Sequence, residues 1–461
     1  MTGCVPRRRS EPVSARPEGG AGDAVQRYVT QFEAFAGNGA ASSPAWLRDL
    51  RATAIARFAQ LGFPTTRQEE WRFTSVQAIA ETAFLPAGDD ATPRHAPKRS
   101  RFGAAARLVF VNGRYAAALS SPAGLPAGVR VESLASAVRG TAAGLVERHL
   151  ARHATPAANP FTALNTAFLH DGALVHVARG VDLEAPIELA FVSTAGHPAV
   201  AHPRCLIVVE EGARAAVVES YGGAGAVYWS NAVTEVVLGE GAYLELVRLQ
   251  QESPSAYHVA STHSCQGRDS VLRVHPVVLG AALARHDITN VLDGPGAELV
   301  LNGLYLLAGR QHADHHTVID HAQPDCRSHE FFNGVLDGQA RGVFNGRIIV
   351  RPGAQRTDSK QTNHNLVLSE EARADSQPQL EIYADDVKCT HGATLGPLDP
   401  KELFYLQSRG LAPAEARALL IYGFGGEILE RMRHPGLRDA LDRLVRVRLD
   451  AGHVTEPAAP R

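Results

Sequence analysis

Cysteine is scarce in this chain and carries no pattern. Cys4, Cys205, Cys265, Cys326 and Cys389 are odd in number, widely spaced and free of any CxxC pair. That argues against a disulfide framework and against a zinc ribbon, and it suits a reducing compartment. An excess of either charge is lacking as well: the formal net charge of −2 gives no reason to expect a nucleic acid or an anionic membrane as partner. No apolar run approaches the ~20 residues that span a bilayer. Nucleotide and hydrolase motifs are missing too. There is no GxxxxGK[ST] phosphate loop, no complete GxGxxG after a strand, no GxSxG elbow and no HExxH. The nearest approach to the last, His329-Glu330-Phe331-Phe332-Asn333, ends in Asn where a metal-binding His is required. The first 22 residues hold Arg7-Arg8-Arg9 with Ser, Pro and Gly, but no apolar stretch of a signal peptide. Their Arg and Ser suggest a plastid or mitochondrial transit segment, which Glu11, Glu18 and Asp23 oppose; the expectation is a disordered tail on a cytoplasmic protein.

What is present is a long chain of two textures. Its 461 residues, 45% hydrophobic and 20% charged, can bury a large core and suffice for two or three domains. From Asp23 to about Gly62 the pattern is helical, with Trp46, Leu47, Leu50, Ala54, Phe58 and Leu61 recurring at spacings of three and four. PTTRQEEWRFTSV (Pro64 to Val76) then reads as a loop in which Trp71 and Phe73 pin these helices to a neighbouring layer. A Pro- and Ala-rich run from Pro86 to Arg101 reads as a linker. Leu108 to Val111 followed by Asn112-Gly113 reads as a hairpin, within a mixed segment over 101–160.

From 161 to 398 helical periodicity largely disappears and short β-branched strands follow one another. Three begin alike: GARAAVVESY at Gly212, GAYLELVRLQ at Gly241 and GAELVLNGLY at Gly296, spaced 29 and 55 residues apart. Those intervals are close to one and two turns of a β-solenoid coil. GQARGVFNGRIIV at Gly338 looks like a further copy out of phase. A β-sandwich with long Greek-key loops is the rival architecture. The chain turns helical again over 399–450: PKELFYLQSRGL closes at Gly410, Pro413 opens a second helix, and Leu437, Leu441, Leu444 and Val445 line a stripe on a third. Gly423, Gly425 and Gly426 interrupt the second helix and imply a bend or a close backbone approach. Such a helical end either caps the solenoid or docks a partner. Residues 451–461 form a tail.

Chemistry concentrates in Leu380 to Asp399, LEIYADDVKCTHGATLGPLD. Val387, Cys389 and His391 alternate, so they share one face of a strand, with neighbours roughly 6.6 Å apart. A lone cysteine is ordinarily inert core. Here an imidazole on the same face makes a second soft ligand, and an imidazolium nearby favours the thiolate that binds iron or attacks sulfur. Eight histidines fall between His286 and His391: these two with His312, His315, His316, His321, His329 and His364. His312, Asp314 and His316 share a face and allow a metal site; the alternative is a ladder of histidines bonded between coils. Asp358, Ser359, Lys360, Gln361, Asn363 and His364 form a polar run expected to be a solvated or interfacial wall.

At these residues the sequence resembles the SufB/SufD family of Suf iron–sulfur cluster assembly subunits, on its SufD branch. The similarity covers PTTRQEEWRFT, FTALNTAFLHDG (Phe161 to Gly172), the block from His312 to Asp399, KELFYLQSRG and ALLIYGFGGEIL; YADDVKCTHGATLG is its most specific part. The resemblance implies a mainly β protein, a right-handed parallel β-helix flanked by helical N- and C-terminal domains. It implies a non-catalytic scaffold that pairs with SufB through the β-helix and binds the ATPase SufC through the C-terminal helices, so that ATP is used only through SufC. His391 matches the family histidine at the interface where clusters are thought to form, with Cys389 as its companion, and the iron–sulfur cluster would sit there transiently. The SufC-binding region expected from the tail comprises Phe404, Tyr405, Arg409, Gly410, Tyr422, Phe424 and Glu427. A SufB-type paralogue is the near alternative. A β-helical carbohydrate-active enzyme using Asp358 and Lys360 is the distant one. Flavin in the complex and a homodimer of the isolated chain are left open.

Overall fold

The glycine-led strands are rungs of a two-sheet parallel solenoid. The computed structural model describes residues 20–38, 42–87, 100–121, 124–157, 159–224 and 227–450. Of the tails expected at 1–22 and 451–461, all but residues 20–22 lie outside the described residues, as do residues 88–99 of the expected linker. The chain opens with α1 (Gly20–Asn38), α2 (Ala45–Leu61), α3 (Gln77–Glu81) and the short β1 (Leu85–Pro86). Next come β2 (Ala106–Val111), β3 (Arg114–Tyr115), β4 (Val129–Ser133), α4 (Leu134–Ala137), α5 (Ala143–His149) and α6 (Pro160–Ala167).

The solenoid follows as β5 (Gly172–Val177), β6 (Ile187–Ser193), β7 (Ala199–Ala201), β8 (Arg204–Val209), β9 (Arg214–Gly223), β10 (Tyr228–Leu238), β11 (Tyr243–Gln251), β12 (Tyr257–Gln266) and β13 (Val271–Val278). It continues through β14 (Leu283–Leu292), β15 (Glu298–Leu307), β16 (His312–His321), β17 (Arg327–Leu336), β18 (Arg341–Val350), β19 (Thr357–Val367), β20 (Arg373–Ile382) and β21 (Val387–Gly396). From β8 onward the strands alternate between two sheets. Even-numbered strands stack parallel in one, β8 to β20, and odd-numbered strands in the other, β9 to β21. The sandwich alternative is thereby excluded, since its ladders would be antiparallel.

The repeat is more regular than its glycines. Gly212, Gly241, Asp269, Gly296, Asp325 and Arg356 each stand at the corner before an odd-numbered strand, and all six have positive φ, between 52° and 76°. Each corner N–H donates to a carbonyl one coil further on, as in Gly241 to Arg268 and Asp325 to Gln355. A left-handed corner is cheapest for glycine and tolerated by aspartate, so only three of the six announce themselves in the sequence. At Gly296 the need is also steric, because a Cβ there would lie 2.0 Å from Asp269 Oδ1. Gly338, the copy out of phase, has φ 66° and precedes β18, a strand of the other sheet.

Three apolar layers follow from this. The solenoid interior packs residues such as Val217, Leu246, Leu301, Phe332 and Ile348. The outer face of the even sheet packs Trp229, Val259 and Leu283 against Tyr28, Phe58, Trp71 and Phe161 of the N-terminal part. The outer face of the odd sheet packs Val247, Leu304, Leu306 and Val335 beneath two of three C-terminal helices, α7 (Pro400–Ser408), α8 (Pro413–Glu430) and α9 (Pro435–Asp450). In α9, Leu437, Leu441, Val445 and Leu449 recur every fourth residue and are all buried, each contributing about 1.5–3 kcal/mol. α8 runs unbroken through its three glycines. Gly425 lies over β15, where a Cβ would stand at an ordinary 3.7 Å from Leu304 Cδ1, so neither the expected bend nor an enforced close approach accounts for it.

The two ends of the solenoid differ. At its start, β4 and β3 add antiparallel to β5 and β2 as the first strands of the two sheets. At its finish, β20 and β21 are the last strands of their sheets, and among the described residues nothing pairs with their outer edges. The C-terminal helices lie along the side of the odd sheet, so they dock there rather than cap this end.

Candidate functional site

The bare final coil carries the candidate site. Asp385 and Asp386 fall between β20 and β21, where the chain turns from one sheet to the other. β21 then continues the register of β19, with Ser359 opposite Cys389 and Gln361 opposite His391. Ser359, Gln361, Asn363 and Asn365 are buried and alternate with outward-facing residues. They therefore face the solenoid lumen, and Cys389 and His391 continue that inward face at the open end. Cys389 is half-buried against the interior cluster, and His391 is exposed. The pair expected to share a strand face does so, on the side a further coil would cover.

The electrostatics of Cys389 differ from the expectation. Burial raises its thiol above the ordinary value, and Asp358 adds to that rise. The resting thiol is thus held protonated rather than primed as a thiolate. Exposed apolar groups lie along the same final coil: Leu395 and Tyr383 are each 61% exposed and Ile382 is 40%. Such a patch beside unpaired strand edges is what soluble proteins ordinarily cover.

The polar run from Asp358 to His364 is only in part the outer wall expected of it. Ser359, Gln361 and Asn363 form the floor beneath the last coil. Ser359 bonds Ser328 at 2.8 Å, and Ser328 bonds His321 at 2.8 Å. Gln361 Nε2 donates to Glu330 Oε2 at 2.5 Å. Asn363 donates to the Tyr305 hydroxyl at 3.2 Å, and that hydroxyl donates to Asn365 Oδ1 at 2.5 Å. Tyr305 does not stand out from sequence, Gln361 belongs there only to the polar run, and Glu330 only to an incomplete metal motif, so neither is expected in a buried pair. Alternation of polar residues in TDSKQTNHN was the available signal, but it reads the same whether the polar face points in or out.

The histidines divide by position. His286, His315 and His321 are buried in the lumen, and burial lowers all three, His315 and His321 to about 4, so they are neutral at pH 7. His312, Asp314 and His316 do share a face, but it binds the N-terminal loop. Thr74 Oγ1 donates to Asp314 Oδ2 at 2.5 Å, and Arg285 Nη1 donates to the same oxygen at 2.7 Å. His329 and His364 lie on the outer face of the odd sheet. Among the described residues no group of three or more His, Cys, Asp or Glu is placed to hold a metal ion.

The residues expected to form a second docking region fall in two settings. Phe404 and Tyr405 on α7 are 72% and 57% exposed, and α7 buries none of its residues. Arg409 stacks on Tyr405 with its guanidinium 5.2 Å from the ring centre, and Gly410 ends the turn with φ 98°. Tyr422 and Phe424 on α8 are partly buried against the odd sheet, where the Phe424 carbonyl accepts from Asn333 Nδ2 at 2.7 Å. Glu427 is exposed and pairs with Arg431 at 2.9 Å. Among the described residues no helix is long and apolar enough to cross a membrane.

Comparison with known proteins agrees with this architecture. Residues 191–424 match the SUF system FeS cluster assembly SufBD core domain, and residues 23–189 match the SufBD protein N-terminal region. An iron-sulfur cluster assembly SufBD family protein of Synechocystis is 35% identical, over 84% of this chain and 88% of its own length. The iron-sulfur cluster assembly protein SufD of Escherichia coli is 29% identical, over 93% of this chain and 98% of its own length. SufD of Bacillus subtilis is 27% identical, over 86% of this chain and 93% of its own length.

Proposed function

The chain belongs to the SufBD family and is a SufD-type subunit of the Suf iron–sulfur cluster assembly system, and from that premise we propose that its open final coil is where clusters are built against a second solenoid. The observation that carries this reading is the difference between the two ends: the sheets begin with the antiparallel strands β4 and β3, while β20 and β21 end the parallel stack and, among the described residues, have no strand on their outer edges. A SufB partner docking end to end would pair with those edges and cover Leu395 and Tyr383. Cys389 and His391 would then be enclosed at the junction as ligands for incoming iron and sulfide. The partner or the iron itself has to draw the proton from Cys389, whose burial and Asp358 neighbour hold the thiol protonated in the isolated chain.

In the same reading the chain is a scaffold rather than a catalyst and works in the bacterial cytoplasm with the ATPase SufC. SufC docks at the exposed aromatic face of α7, Phe404 and Tyr405 with Arg409 and Gly410, and reaches Glu427 on α8. Tyr422 and Phe424, packed on the odd sheet, carry the movement of SufC to the solenoid. Co-expression with the host's SufB-like and SufC-like proteins, with affinity capture on this chain, tests the proposal. The expected result is a stoichiometric complex that gains iron–sulfur absorbance on anaerobic reconstitution, and a His391→Ala complex that assembles but gains none. Recovery of the chain alone, or full absorbance from the His391→Ala complex, would overturn it.

A further inference from the structure

The lumen row that ends at His391 changes character along its length. Leu246, Val274 and Leu301 occupy it in β11, β13 and β15; Glu330, Gln361 and His391 occupy it in β17, β19 and β21. Glu330 and Gln361 are buried completely or nearly so. The bond from Gln361 Nε2 to Glu330 Oε2 sets the orientation of the amide, with the NH2 donating and the carboxyl oxygen accepting. The carbonyl oxygen of Gln361 is left over, and it is buried without a hydrogen-bond partner among the described residues. Space for this amide comes from Gly346 on the facing sheet: a Cβ there would lie 2.2 Å from Gln361 Nε2 and 2.7 Å from its Cδ. A side chain has been given up on one sheet so that a polar one fits on the other. Burying an acceptor without a donor is costly, and the next residue along the row, on the open side, is His391.

We propose that Gln361 is the positioning residue for His391: once a partner covers the final coil, the free Gln361 carbonyl accepts the ring N–H of His391, leaving the other ring nitrogen to bind iron, and Glu330 keeps Gln361 turned that way. Histidine ligands of metals ordinarily donate their second N–H to such an oxygen, which fixes the tautomer and the ring direction. The inference rests on the reading of His391 as a ligand.

Anaerobic titration of the purified complex with ferrous iron alone tests it, using variants of this chain. Gln361→Leu and Glu330→Leu should each form the complex and weaken iron binding by about 10- to 100-fold. Glu330→Gln, which still offers an acceptor to Gln361, should bind as the wild type does. Wild-type affinity in Gln361→Leu, beside lost binding in His391→Ala, overturns the positioning role and leaves the site reading standing. Wild-type affinity in His391→Ala overturns the site reading itself. Should Gln361→Leu fail to assemble, the Glu330 pair decides, and equal losses in Glu330→Gln and Glu330→Leu count against the proposal.

Discussion

The guanidinium of Arg285 lies over Trp71, its central carbon 3.6 Å from the ring centre, and joins the N-terminal loop to the solenoid wall. The same guanidinium donates to Asp314 and Asp287, while Thr74 of the loop donates to the same Asp314 oxygen. Loop, β14 and β16 thus share one buried charge network. Arg285→Met should destabilise the protein by about 3–5 kcal/mol, since it strands Asp314 without its buried cation. Trp71→Ala should cost about 3–5 kcal/mol through the cavity it leaves. Because the two groups touch, the double variant should lose less than the sum by about 0.5–3 kcal/mol. Urea denaturation of the four proteins measures this, and strict additivity would rule out the coupling.

This network shows where sequence reasoning reached and where it stopped. Trp71 and Phe73 were legible as pins because aromatics in a polar loop need cover: Trp71 is buried, and the half-buried Phe73 lies 5.5 Å from the Arg341 guanidinium of β18. Their target was not, since nothing local says that β14 and β16 pass beneath that loop. The corners behave alike: Gly212, Gly241 and Gly296 betray a left-handed backbone, whereas Asp269, Asp325 and Arg356 adopt it under tertiary constraint. Cys389 and His391 were legible through strand alternation. The buried pairing of Gln361 with Glu330 was not, because the two meet only through a register spanning 31 residues.

Glu245 ties the C-terminal helices to the odd sheet. Its carboxylate accepts the N–H groups of Arg433 and His434, each at 2.9 Å, and the His275 ring at 3.1 Å. Burial pushes this carboxyl up, but the His275 interaction and the two backbone donors outweigh it and hold it below its ordinary value. A carboxyl lowered in the folded state stabilises fully above its unfolded value near 4.5, and that stabilisation is lost as pH falls through the folded value. Glu245→Ala should therefore cost about 3 kcal/mol at pH 7 and much less at low pH. Hydrogen exchange along α9 should quicken in the variant at pH 7. Unchanged exchange there would show that Glu245 does not hold the helices.

Glu330 has the opposite sign. Burial raises its carboxyl from 4.5 to about 7, and the groups that reach it, the Gln361 amide and the Thr317 hydroxyl, are uncharged. The folded chain binds this proton more tightly than the unfolded chain does. Stability from this group is therefore present below pH 4.5 and falls as pH rises towards 7. The loss is on the order of 3 kcal/mol once the group is ionised. Glu330→Gln should remove that dependence, gaining in melting temperature over the wild type at pH 8 but not at pH 4.5. A parallel pH profile for the two proteins would mean that Glu330 ionises freely.

Two exposed surfaces, on different elements, are assigned to two partners, and this separation is itself testable. Leu395 lies exposed on the last strand; Phe404 and Tyr405 lie exposed on α7, none of whose residues is fully buried. Substitutions at exposed positions ordinarily change stability by less than about 0.5 kcal/mol, so losses of binding will not be confused with unfolding. Leu395→Asp should weaken capture of the SufB-like protein at least about tenfold, since it sets a charge into a desolvated junction, and should leave SufC binding alone. Phe404→Ala with Tyr405→Ala should do the reverse, because exposed aromatics dominate such contacts. Leu437→Ala, which opens the buried face of α9, should lower the melting temperature and so mark what structural damage looks like. If Leu395→Asp and the aromatic pair weakened the same partner equally, the two surfaces would belong to one interface. The placement of SufC on the side of the solenoid and SufB at its end would then be wrong.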